Sequence, residues 1–88
     1  MESIWKFQLA TTDTQHLFIP EGAELLCVQT QYDVPCIWAK VDTDAEDKDV
    51  LVTIRGTGHP VSTQDKYLGT FQLSGGNFIG HVFYRWTK

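Results

Sequence analysis

Residues 24–42, Glu24-Leu25-Leu26-Cys27-Val28-Gln29-Thr30-Gln31-Tyr32-Asp33-Val34-Pro35-Cys36-Ile37-Trp38-Ala39-Lys40-Val41-Asp42, decide the fold. Two apolar-rich runs flank Tyr32-Asp33. A two-residue turn there pairs Leu26 with Ala39 and Val28 with Ile37, and sets Glu24 against Val41. Side chains alternate across a strand, so one face of this hairpin is almost wholly apolar and belongs to a core. The opposite face carries Leu25, Cys27, Gln29, Cys36, Trp38 and Lys40 and is mixed rather than plainly solvent-like.

A second hairpin joins residues 67–73 to 78–86 through Ser74-Gly75-Gly76-Asn77. The glycines suit a primed turn. A turn at Gly75-Gly76 sets Phe71 against Gly80 and Gly69 against Val82, large residues matched to small ones. The other face shows Leu68, Thr70, Gln72, Ile79, His81, Phe83 and Arg85. Residues 3–9 alternate, with Trp5, Phe7 and Leu9 on one side and Lys6 and Gln8 on the other. A short strand at 16–19 is stopped by Pro20-Glu21-Gly22. Residues 50–55 send Val50, Val52 and Ile54 inward and Leu51, Thr53 and Arg55 outward. Residues 62–66 form a polar connector in which Ser62 and Asp65 make a weak capping box. About seven short strands with no long helical pattern define an all-β fold, a compact antiparallel β-sandwich or small barrel.

With 88 residues there is room for one domain, 1–88, with one core. A chain this size buries roughly 60–70% of its unfolded surface, a thin margin. A homo-oligomer is the natural supplement. Net charge is −4, and residues 42–49 hold all of it. Such a balance argues against duplex nucleic acid as a partner, since binding it requires a basic footprint. The acidic stretch resembles the start of a calcium loop, but Asp47 stands where the turn glycine belongs and Thr53 where the bidentate glutamate belongs. A mobile, solvated surface loop is expected instead, with no metal and no cofactor. No basic leader and no apolar run of membrane-spanning length is present, so a cytoplasmic protein without a membrane partner is expected. Across the first hairpin Cys27 and Cys36 are diagonal neighbours, roughly 7–8 Å apart. That is too far for an unstrained disulfide, so both read as free thiols.

Ligand chemistry points to a different stretch, Ile54-Arg55-Gly56-Thr57-Gly58-His59-Pro60-Val61, where a β-branched strand runs into an arginine and a glycine-rich turn. Arginine offers phosphate a planar fork of donors, and a glycine-rich turn offers backbone N–H groups. The strand faces left outside the core hold Trp38, Lys40, Thr53, Arg55, Thr70, Gln72, His81 and Arg85. Gathered on one side, they make a basic, ring-bearing surface suited to a phosphorylated nucleotide. The candidate ligand-binding residues are Arg55, Gly56, Thr57, Gly58, His59, Trp38, His81, Arg85 and Trp86, with Trp38 or Trp86 against the base. Each has a structural reading beside the functional one. Arg55 pairs with an acid, His59 caps the turn, His81 is a cross-strand neighbour of Thr70, and the tryptophans fill the core. Catalysis is not expected. The histidines and cysteines lack metal-ligand spacing, and no nucleophile elbow is present.

Several segments together resemble a family of small proteins encoded by tailed bacteriophages and prophages. They are Ile4-Trp5-Lys6, Pro20-x-Gly22-Ala23-x-x-Leu26-x-Val28-Gln29, Pro35-Cys36-x-Trp38-Ala39-x-Val41-Asp42, Gly56-Thr57-Gly58-His59-Pro60, and Tyr67-x-Gly69-Thr70-Phe71-Gln72 with His81-Val82-Phe83. Tyr32-Asp33 departs from the Asn-Gly common in that family, and Gly80 from its aromatic. The resemblance implies a phage setting in the host cytoplasm rather than a mechanism. In that setting the expectation is a non-catalytic sponge that sequesters a host immune nucleotide signal of the cyclic nucleotide or cyclic ADP-ribose type. The alternative is an accessory or virion-associated protein-interaction module with no small-molecule ligand.

Overall fold

A turn of four residues, 43–46, carries the chain from one β-layer to the other, and the two layers bury their apolar faces against each other. The computed structural model describes residues 1–87; Lys88, the last residue of the expected domain, lies outside them. The strands are β1 (Glu2–Gln8), β2 (Thr14–Pro20), β3 (Glu24–Gln31), β4 (Val34–Asp42), β5 (Asp47–Arg55), β6 (Lys66–Leu73) and β7 (Phe78–Trp86). One sheet has the order β1-β4-β3 and the other β2-β5-β7-β6, and every pairing is antiparallel. This is the expected β-sandwich. Ile37, Ala39 and Val41 of β4 face Val50, Val52 and Ile54 of β5 and Val82 of β7 within one core. Full burial of each Val or Ile side chain stabilises the fold by about 1.5–3 kcal/mol.

Both hairpin registers follow the turns. Val28 lies opposite Ile37 and Cys27 opposite Trp38, with Tyr32 (φ 52°) and Asp33 (φ 62°) left-handed as a type I′ turn requires. The pairing of Leu26 with Ala39 is corrected by a bulge between Leu25 and Cys27. Leu25 takes the place opposite Ala39, Glu24 meets Lys40 rather than Val41, and Leu26 is exposed. Two adjacent leucines make either register equally apolar, so alternation alone could not show the extra residue.

Phe71 lies opposite Gly80 and Gly69 opposite Val82. The turn between them is longer than two residues. Ser74, Gly75 and Gly76 are all left-handed, and Asn77 N–H donates to Ser74 O. A second bulge, between Tyr67 and Gly69, turns Leu68 against the core. The two hairpins meet where Ser74 N–H donates to Asp33 Oδ1 at 2.9 Å. Along that side β6 lies on β3 so closely that a Cβ at Gly69 would come within 2.7 Å of Val28 Cγ1.

The acidic stretch is not a mobile loop as a whole, because Asp47, Lys48 and Asp49 belong to β5 and pair with β2. Asp42 accepts from Asp44 N–H at 3.0 Å and lies 3.4 Å from the Met1 amino group. The Asp44 N–H, foremost, holds the Asp42 carboxyl below its ordinary range. Cys27 and Cys36 are free thiols. Among the described residues, no cluster of His, Cys, Asp and Glu could hold a metal, and no helix is long and apolar enough to cross a membrane.

Candidate functional site

Arg55 is the last residue of β5 and lies opposite His81 of β7. Beyond it the chain turns back on itself. His59 N–H donates to Gly56 O at 3.1 Å, and Gly58 has φ 91°, the positive value that a type II turn demands at its third residue. The His59 ring folds over Gly56, where a Cβ would meet Cε1 at 3.1 Å. Among the described residues, the N–H groups of Thr57 and Gly58 have no acceptor.

A chain of hydrogen bonds fastens this turn to the outer face of the second sheet. Thr57 Oγ1 lies 2.7 Å from His81 Nε2, Thr70 Oγ1 2.9 Å from His81 Nδ1, and Tyr67 Oη 2.6 Å from Thr70 Oγ1. Both ring nitrogens of His81 are thus engaged by hydroxyls. In the neutral imidazole one of these hydroxyls donates and the other accepts. Among the described residues, no carboxylate takes part in this chain of hydrogen bonds, and the two hydroxyls fix the orientation of the ring.

The turn and the sheet enclose a concavity of about 280 Å³, with residues 55–59 and Val61 on one side and Tyr67, His81 and Phe83 on the other. Tyr67 and Phe83 stand 5.4 Å apart, tilted by 60°. Two further concavities adjoin it. One of about 180 Å³ reaches Thr11, Thr12, Asp13 and Phe78, and one of about 300 Å³ lies among Asp13, Arg55, His59 and Pro60. His59 borders all three. Among the described residues, no acid pairs with Arg55; its one hydrogen bond is to the Asp13 carbonyl at 3.5 Å.

Arg55, Gly56, Thr57, Gly58, His59 and His81 therefore come together as the sequence suggested. Trp38, Arg85 and Trp86 do not join them. Trp38 and Lys40 lie on the outer face of the first sheet, across the sandwich from Arg55, because strands β4 and β5 sit in different layers. Trp86 faces inward and packs against the core beside Val50. Arg85 shares the outer face of β7 with His81, but it donates to Gln64 at 2.7 Å and lies 3.6 Å from Asp65. The site's rings are instead Tyr67 and Phe83, which sequence reasoning did not select. Alternation already put Phe83 on the face of His81. Tyr67 reaches it only because the bulge at Leu68 reverses its parity.

Fold and site define an all-β sandwich domain with one ring-lined, arginine-bearing concavity on the outer face of its larger sheet. The chain belongs to the family described as domain of unknown function DUF7352, whose profile matches residues 1–88. No curated protein and no solved structure matches the chain.

Proposed function

We propose that this protein binds a phosphorylated nucleotide in the concavity between the 56–59 turn and strands β6 and β7, and does not cleave it. The observation that carries the reading is Arg55, a guanidinium without an acidic partner among the described residues, at the mouth of a recess walled by His59, His81, Tyr67 and Phe83. Phosphate oxygens suit the planar fork of Arg55 and the free N–H groups of Thr57 and Gly58. A base suits the faces of Tyr67 and Phe83, since stacking on a ring contributes about 1–3 kcal/mol per base. The adjoining concavities leave room for a ligand larger than a mononucleotide. In the phage setting that the sequence resembles, the role is that of a sponge for a host immune nucleotide signal, acting in the host cytoplasm.

Thermal unfolding against a panel of linear and cyclic nucleotides tests this. A ligand at 100 times its Kd stabilises by about 2.7 kcal/mol, or roughly 10–20 °C in Tm for a domain this size. Arg55→Met should abolish the shift and Tyr67→Ala should weaken it. The ligand recovered after denaturation should be unaltered. The absence of any shift would favour a protein-interaction module instead, for which the exposed Tyr67 and Val61 beside the concavity are suitable contacts.

A further inference from the structure

The sandwich has four strands at sheet edges, and three of them carry a bulge or a proline. β3 and β6 lie against each other, and each is bulged. On β2, Asp13 O accepts from Ile54 N–H and Glu21 N–H donates to Glu46 O, so the odd-numbered residues bond to β5. Its even-numbered residues face outward, and the last of them, Pro20, has no N–H to offer. Proline on an edge is a recognised guard against strand pairing.

Strand β1 has no such guard. It pairs with β4 without a bulge over its whole length and contains no proline. Met1 O accepts from Thr43 N–H at 2.8 Å, and Leu9 N–H donates to Pro35 O at 2.9 Å. Alternate residues of an antiparallel strand bond to the same neighbour. The odd-numbered residues of β1 therefore serve β4, and Glu2, Ile4, Lys6 and Gln8 turn their N–H and C=O groups to the open side. Ile4 also leaves 62% of its surface exposed, and Trp5 leaves 38%.

We propose that β1 pairs antiparallel with β1 of a second copy of this chain, about a twofold axis through Ile4. In that register Glu2, Ile4 and Lys6 each meet a residue of the second copy that also offers free main-chain groups, and Gln8 lies beyond the paired stretch. Ile4 faces the partner subunit's Ile4, and Glu2 faces the partner subunit's Lys6 at both ends. Opposite charges directly across a ladder stabilise it, and like charges oppose it. Moving the axis to Trp5 keeps the free groups opposite one another but sets Glu2 against Gln8 and Lys6 against Ile4, with no charge pair; moving it to Lys6 sets lysine against lysine, and to Glu2 glutamate against glutamate. Lys6 and Glu2 now contact Gln31 at 2.6 Å and Lys40 at 3.4 Å, exposed partners that are exchanged at little cost. The contact is the same patch on both copies and uses the unguarded edge of each, so it closes at a dimer of two three-stranded sheets joined into one. One strand buries less than the roughly 1,200–2,000 Å² of a stable interface, so the dimer dissociates on dilution.

Sedimentation over a concentration series, up to about 1 mM, should give twice the 10.0 kDa of the chain at the upper end. Ile4→Pro removes an N–H that faces away from β4 and should leave a folded monomer, with circular dichroism as the check. Glu2→Lys and Lys6→Glu should each weaken the dimer about tenfold, and the two together should restore it. Ile4→Cys should oxidise to a covalent dimer, because facing residues of a hydrogen-bonded pair have Cα atoms about 5.5 Å apart. A wild-type chain that stays monomeric throughout, a double charge swap that fails to restore association, or cross-linking through Trp5→Cys rather than Ile4→Cys would overturn the proposal.

Discussion

Thr57 Oγ1 and His81 Nε2 stand 2.7 Å apart, and this contact ties the glycine-rich turn to the sheet on which it lies. Without it, the turn keeps its own His59 N–H to Gly56 O bond but loses its side-chain attachment to β7. Thr57→Val preserves shape and removes the hydroxyl. Thr57 is exposed and His81 half-buried, so water replaces part of the interaction, and the stability loss should stay at or below about 1 kcal/mol. The amides of residues 56–60 should nevertheless exchange faster with deuterium, and Thr57→Ser should restore their protection. Unchanged exchange in Thr57→Val would show that the turn holds its position without β7.

Gly80 marks a tighter constraint. A Cβ there would sit 2.6 Å from Phe71 Cζ and 2.9 Å from Ile54 Cγ2, so the Phe71 ring occupies the space that any side chain would need. Gly80→Ala should destabilise by about 1–3 kcal/mol through overpacking, read as a lower urea midpoint with the m-value unchanged. Phe71→Leu in the same chain should recover part of that loss, giving a double-mutant coupling of opposite sign to the single changes. Simple additivity would mean that the backbone moves aside instead.

The contact between Phe71 and Gly80 was legible because turn position fixes register, and register fixes which residues face each other. The two bulges were not legible for a related reason. At Leu25-Leu26 both neighbours are leucine, so shifting by one residue changes nothing in the apolar pattern. At Leu68 the bulge reverses the parity of Tyr67, and with it which ring lines the concavity. The separation of Trp38 from Arg55 was hidden more deeply. It depends on which layer each strand joins, and alternation within a strand carries no information about that.

Asp65, at the end of the connector, has 8% of its side chain exposed, and among the described residues its Oδ1 is buried without a hydrogen bond. The Arg85 guanidinium, 3.6 Å away, is the charge beside it. Arg85→Met should therefore cost more than Asp65→Asn, because it leaves a carboxylate buried beside an apolar chain. Arg85 is 38% exposed, and solvent screening brings the expected loss to about 1–2 kcal/mol. Arg85→Met combined with Asp65→Asn should be more stable than Arg85→Met alone. Chemical denaturation of the three variants decides the order, and equal losses for the two single changes would remove the role given to the buried carboxylate.

Asp49 sets a pH dependence whose sign can be worked out. The Thr87 hydroxyl at 2.8 Å, foremost, and then His16 at 2.9 Å hold its carboxyl below the ordinary value of 3.8. A carboxyl that is more acidic in the fold than in the unfolded chain contributes stability that is complete above the unfolded value. That contribution is lost as pH falls through the lower, folded value. Asp49→Asn should accordingly be less stable than wild type at about pH 6, and the gap should close below about pH 4. Asp42, also held low, loses its own contribution over the same acid range, but it does so in both chains and cancels in the comparison. Urea midpoints of the two proteins at about pH 6 and pH 2.5 measure the gap directly. A gap that persists undiminished at the lower pH would mean that the amide substitution costs packing or geometry rather than charge.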